Sequence, residues 1–240
     1  MLIILIALPA CAEIRLDART AGMLDFIGTL EAPGGYDTYS HYAAAPPPKP
    51  LTTLTVNEVL AWQDRIDAAS RSEAAGRFQI MEDTLRDYLV PTMGLTGAEL
   101  FDESMQNAMA VALLKRRGWS PDGTNYIGMG NALAREWAAL PLLSGPDLGN
   151  SAYHNTRGVR NRALTTPAQF LAVLKDPTTS NAVLNATKTP SATRVTRLGL
   201  GAVRIRTFRR TRPTAPQDMT GGALTPSRVI TFDLDPYAQE

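Results

Sequence analysis

The sequence predicts a mainly helical body followed by a shorter extension with strand-like patterning, and three observations carry that prediction. Apolar residues recur at helical spacing in several segments, most clearly Met105, Ala108, Met109, Ala112 and Leu113 between Asp102 and Arg117. Thr55 stands three residues before Glu58, the arrangement of a capping box at a helix start. Further on, Val195, Leu198, Leu200, Val203, Ile205, Thr207 and Phe208 alternate with Arg and Gly, as strands do. At 240 residues there is material for one globular core plus extensions. The hydrophobic share of 44% and charged share of 20% exclude a disordered or membrane-embedded chain.

In chain order, Met1 to Cys11 is an apolar run of the length of a signal-peptide core, without the basic leader such a signal carries. It is also too short to span a bilayer, which takes about 20 apolar residues. Residues 1–19 are therefore read either as signal-like or as an apolar docking strand. From Thr20 to Leu30 the residues Met23, Leu24, Ile27 and Leu30 mark a helix that Pro33-Gly34-Gly35 ends. Ala43 to Pro50, with its four prolines, reads as an extended surface insertion. A helix capped by Thr55 presents Val56, Val59 and Leu60, and Met81–Leu89 is expected to form another. Gly118 stops the helix over 102–117, and a helix is expected over Asn131–Leu140, ended by Pro141. Pro167–Leu174, capped by Thr166, is expected to be the last. The body is thus placed at 20–175, a Thr-, Ser-, Asn- and Pro-rich linker at 176–193, and an Arg-rich β-type extension at 194–240, where Val229 to Leu234 forms a second strand-like run.

Net charge is only +1, so the total selects no partner. Its distribution is uneven: no acidic residue falls between Asp176 and Asp218, whereas Lys188, Arg194, Arg197, Arg204, Arg206, Arg209, Arg210 and Arg212 do. Cys11 is the single cysteine and His41 and His154 the only histidines, which excludes an intrachain disulfide and argues against a metal or redox cofactor.

Glu31 is the residue whose position calls for explanation. It follows Ile27 by four and Leu24 by seven residues, so helical geometry puts it on the apolar face. It also ends the helix, where the backbone dipole opposes negative charge. Both effects favour the protonated carboxyl, the form that general acid catalysis needs near neutral pH. Position alone leaves a second reading open, in which Glu31 turns out to water at the Gly-Gly that follows.

The surrounding motifs carry a resemblance. Leu24 to Glu31, Gly35-Tyr36-Asp37, Ser72-Glu73-Ala74-Ala75-Gly76-Arg77-Phe78-Gln79, Phe101 to Ala108, Arg117-Gly118 and Trp137-Ala138-Ala139-Leu140-Pro141 resemble the bacteriophage lambda lysozyme family, glycoside hydrolase family 104, in order and approximate spacing. The likeness covers about residues 20 to 175, and Ala75 to Gln79 is its most specific block. It implies a lysozyme-like α+β fold with a small β region beside a cleft, and cleavage between N-acetylmuramic acid and N-acetylglucosamine with Glu31 as the acid. It further implies a lytic transglycosylase, in which the muramic acid 6-hydroxyl attacks to give a 1,6-anhydro product.

Other residues are assigned alongside. Gln79 is read as lining the cleft or tying its wall together, and Phe78, where the family has tyrosine, as sugar-facing or core. Asp37, with Tyr36 beside it, follows Glu31 across the Gly-Gly turn. It would make the enzyme an inverting hydrolase if it positioned a water, or else it caps a turn. Tyr153 falls near a cleft tyrosine of the family, and its neighbour His154 reads as a surface residue. Trp62, Trp119 and Trp137 read as packing, Trp137 within a helix. The Arg-rich extension suits docking to another protein, such as a phage tail or baseplate component, or attraction to anionic wall polymer, better than nucleic acid. Together these readings point to a muramidase carried in a virion and acting in the periplasm, with secretion through the N-terminal segment and a non-enzymatic wall-binding protein as rivals.

Overall fold

The first described helix, α1 (Ala18–Glu31), is packed on several sides by other described elements. In the computed structural model, which describes residues 16–155 and 161–188, Gly22, Met23, Leu24, Phe26, Ile27, Gly28 and Leu30 of α1 are all buried. Asp17 starts the helix by accepting from the backbone N–H groups of Arg19 and Thr20. The described residues fall within one compact unit, Met1–Ala192. Cys11, nearly all of the apolar N-terminal segment and the whole Arg-rich extension lie outside the described residues.

The chain then forms α2 (Val56–Asp67), α3 (Val90–Met93), α4 (Glu103–Arg116), α5 (Tyr126–Ala134), α6 (Pro167–Lys175) and α7 (Ser180–Lys188). The architecture is mainly helical, as expected. Of these, α4, α6 and α7, with the 3-10 turn Pro177–Thr179, pack against α1. One hydrophobic core runs through all of it, from Met23 and Phe26 to Trp62, Phe101, Leu133, Trp137 and Phe170. Thr55 and Glu58 form the predicted capping box, and Thr166 forms one with Gln169. Among the described residues β structure is confined to isolated antiparallel bridges, Tyr39 with Ala75, Ala75 with Ile80, Thr55 with Leu100, and Pro141 with Ser151.

Four expectations are corrected. Residues 176–188 are not linker: Asp176 caps the 3-10 turn, and α7 follows with Leu184 buried. The reason is contact with α1, where Gly22 lies so close to Pro177 that an added Cβ would fall 2.2 Å from its carbonyl oxygen. The helix expected over Asn131–Leu140 is shifted: α5 starts earlier, capped by Asn125, and ends at Ala134, leaving residues 135–140 as turns. Gly130 is where Leu143 and Leu174 crowd the helix. The buried stripe of α4 is Gln106, Met109, Ala110, Leu113 and Leu114, rotated from the predicted face because it contains a glutamine. Finally, the helix expected over Met81–Leu89 continues past Pro91 to Met93; its middle, Thr84–Leu89, is a π-helix in which the Val90 N–H reaches back to Leu85, and Gly94 closes it in the left-handed conformation.

The proline-rich insertion is anchored, not loose. Trp62 Nε1 donates to the Ala45 carbonyl at 3.1 Å. The backbone N–H of Ala44 donates to Ser70 Oγ and that of Arg71 to the Tyr42 carbonyl.

Candidate functional site

Glu31 is the last residue of α1, and the chain leaves the helix at Ala32, whose N–H closes the final turn on the Gly28 carbonyl. Its Oε1 accepts a 2.9 Å hydrogen bond from the backbone N–H of Ala139, a residue 108 positions away. Oε2 has no partner among the described residues, yet it is not sealed in. Gln63 Oε1 is the one buried side-chain oxygen or nitrogen left without a partner there. The carboxyl is therefore largely enclosed by protein, with Oε2 keeping some exposure.

That enclosure decides its protonation. Burial pushes the Glu31 carboxyl up to about 7, opposed only by the Ala139 N–H. Among the described residues no cation is paired with it, so desolvation of the charged form wins. A carboxylic acid that keeps its proton to near neutrality, with one oxygen held and the other unpaired among the described residues, can donate that proton to a bound group and take one back.

Three structural links hold this corner. Ala139 belongs to the turn segment 135–140, and two residues before it Trp137 Nε1 donates to the Phe78 carbonyl at 3.2 Å. The segment thus leans on the turn Ala75–Ile80, whose end residues exchange paired backbone hydrogen bonds. In that turn Gln79 has φ +47°, a left-handed conformation that an ordinary side chain adopts at a cost, and its Nε2 donates to the Gly76 carbonyl. Gln79 is partly exposed, one residue from the anchor of Trp137.

Arg77 forms the second link. Its stem lies across Gly28 of α1, so closely that a Cβ on Gly28 would come within 2.3 Å of Nε. The guanidinium meets Asp25 at 2.8 Å and sits 5.1 Å from the centre of the Tyr36 ring. Gln106 is the third. Buried in α4, it accepts from the Arg77 N–H and donates to the carbonyls of Tyr36 and Phe101, while Tyr36 OH donates to Asn107 at 3.0 Å. Together these fix the loop that follows Glu31.

The sequence-derived residues separate accordingly. Glu31, Gln79 and Tyr36 belong to this connected corner. Phe78 is buried, 1% exposed, so its ring offers no face to a ligand; it acts in the core and through its carbonyl. Asp37 is exposed, and its Oδ1 accepts from the Thr52 N–H at 2.8 Å, capping the 3-10 turn Leu51–Thr53. Tyr153 donates to the Arg135 carbonyl at 2.6 Å, and burial pushes its phenol up. His154 has partners after all, Ser151, Asn155 and Asp147. Trp62, Trp119 and Trp137 are buried as expected, although Trp137 stands in the turn segment rather than a helix.

Sequence reasoning missed Ala139, Gln106, Arg117 and Glu136. A backbone N–H leaves no signature in composition, but Gln106 does have one: it stands three residues before Met109 and seven before Leu113, on a helix face otherwise apolar. Arg117 pairs with Glu136 and its Nη2 donates to the Arg135 carbonyl.

Two hollows are defined among the described residues. One, of about 220 Å³, lies among Leu30, Pro33, Leu164 and Leu184; the other, of about 330 Å³, among Arg117, Ser120, Asn125 and Met129. Glu31 lines neither. No three of the described His, Cys, Asp and Glu side chains gather as a metal-ligand group, and no helix of the described residues is long and apolar enough to cross a membrane. The chain matches no protein-family model, no curated protein and no solved structure.

Proposed function

We propose that the chain is a peptidoglycan-cleaving muramidase with a lysozyme-like fold, in which Glu31 is the catalytic acid. The observation that carries the reading is the Glu31 carboxyl itself: largely buried, held by the Ala139 N–H on one oxygen, and protonated to about pH 7. Glycosidic cleavage needs such an acid, because the leaving oxygen must receive a proton as its bond to C1 breaks. The resemblance of the motifs around Glu31 and Gln79 to the lambda lysozyme family supports the same substrate.

The reaction we propose is a lytic transglycosylation. Glu31 gives its proton to the glycosidic oxygen, and the C1–O bond to the N-acetylglucosamine side breaks. The carboxylate left behind then takes the proton of the muramic acid 6-hydroxyl as that oxygen bonds to C1, closing a 1,6-anhydro ring and restoring the acid. One carboxyl group serves both steps. The inverting alternative assigns water activation to Asp37, and the engagement of Asp37 with Thr52 weighs against it. Carriage in a virion tail or baseplate, docked through the Arg-rich extension, completes the proposal.

The test is a murein zymogram followed by mass spectrometry of the digest. Wild-type protein clears the gel and yields anhydro ends, Glu31→Gln loses clearing by at least a hundredfold, and Asp37→Asn retains it. Clearing undiminished in Glu31→Gln would reject the assignment, and reducing ends would reject the transglycosylase chemistry. A wild type that binds murein without cleaving it would favour a wall-binding role.

A further inference from the structure

Residues 135–139 are pinned at four points. Arg117, which caps the C-terminus of α4, clasps the Glu136 carboxylate through Nε and the Arg135 carbonyl through Nη2. The Tyr153 hydroxyl donates to that same Arg135 carbonyl. Trp137 Nε1 is fixed to Phe78, and the Ala139 carbonyl accepts from the Leu164 N–H at 2.8 Å. The Glu136 side chain is 7% exposed, a carboxylate largely taken out of water and matched by one guanidinium. Removing either partner of so buried a pair leaves the other uncompensated, so the pair holds its geometry firmly.

What this bracket delivers is the Ala139 N–H. Turn segments outside helices ordinarily have freedom to rotate a peptide plane, and rotation here would turn the N–H away from Glu31. We propose that the Arg117–Glu136 ion pair is a positioning device for the Glu31 carboxyl, holding residues 135–139 so that the Ala139 N–H stays aimed at Oε1. The inference rests on the muramidase reading for its meaning in catalysis, but not for its geometry. Arg117 and Glu136 touch no reacting atom in this scheme; they act through Ala139. Among the described residues, Asp25 of α1 is engaged with Arg77, and Arg135 through its Nη1 with the Asn131 carbonyl. Burial and the Ala139 N–H remain as the two influences on Glu31.

The test follows the Glu31 side-chain carboxyl by 13C NMR through a pH titration, assigned with Glu31→Gln, and the Ala139 amide in the same samples. In the wild type both report one midpoint. If the pair holds the N–H in place, Arg117→Met and Glu136→Gln each move the midpoint upward, by about one pH unit for complete loss of the hydrogen bond, and the Ala139 amide stops following the titration. A direct charge effect gives opposite signs, upward for Arg117→Met and downward for Glu136→Gln, and would overturn the proposal, as would two unmoved midpoints. Tyr153→Phe, a neutral change at a half-exposed residue, keeps the question answerable if the charge variants do not fold: a smaller upward movement is expected, and none would count against the bracket. Wild-type protein that cleaves no murein would reject the muramidase reading while leaving this titration to decide the positioning role.

Discussion

Replacing Glu31 by glutamine removes a charge while keeping an oxygen that can accept from Ala139, so it isolates the cost of ionising this carboxyl inside the fold. In the folded chain the group titrates at about 7, against an ordinary 4.5. The difference corresponds to about 3 kcal/mol of preference for the protonated form, an upper figure because the residue keeps some contact with water. The direction follows from proton linkage. Below about pH 4.5 the carboxyl is protonated whether the chain is folded or not, and the contribution is fully present. As pH rises, the unfolded chain releases the proton first, and the stabilisation is gone once pH passes the folded value. Wild-type protein should therefore lose about 3 kcal/mol relative to Glu31→Gln between pH 4 and pH 8, or roughly 6–12 °C in Tm for a fold of this size. Urea denaturation of both proteins at half-unit intervals measures it. A stability difference that stays flat across that range, or that moves in favour of the wild type as pH rises, would refute the argument that burial governs Glu31.

Two further substitutions probe the frame around it. Gly22→Ala places a Cβ against the backbone of Pro177, which cannot swing aside as a side chain would; a loss of at least about 3 kcal/mol is expected by chemical denaturation, and a loss below about 1 would mean that the turn Pro177–Thr179 is not seated on α1 as described. Gln106→Leu keeps the volume but strands the Arg77 N–H and the carbonyls of Tyr36 and Phe101. It should cost about 2–4 kcal/mol and reduce murein clearing, whereas a stable variant with full clearing would show that the Tyr36–Arg77 contact does not depend on it.

Much of the fold was legible because local rules agreed with packing. Thr55 and Thr166 are expected at helix starts and cap them in the structure. The errors fall where a tertiary contact overrides a local signal. Asp176 to Lys188 has the composition of a linker, yet α1 needed a cover, and Ser, Thr and Asn serve well enough in the caps and exposed faces of a short helix. The sequence places the start of α5 too late, since Gly128 and Gly130 lie inside it and Gly130 lets Leu143 and Leu174 approach closely. At the site, Glu31 was visible because a carboxylate at an apolar helical position contradicts its surroundings. Asp37 looked similar only by proximity in sequence, and its turn-capping role emerges from a contact fifteen residues on. Ala139, the partner that holds Glu31, contributes through the backbone and could not be read from residue type.

The packing of α1 on several sides has a consequence for how the molecule is made. Its helix is synthesised early, but its neighbours come late: Arg19 donates to the carbonyls of Pro121 and Lys175, Thr20 receives the Trp119 indole, and Gly22 is roofed by Pro177. Such distant pairings close slowly, since long loops must be ordered before any contact rewards them. Until the ribosome has released residues through α7, the face of α1 that Pro177–Thr179 and α7 cover is left unsealed. A nascent chain stalled before that point would carry a partly exposed hydrophobic helix, a natural substrate for holding chaperones. The cover of α1 is thus completed late, when α7 packs against it.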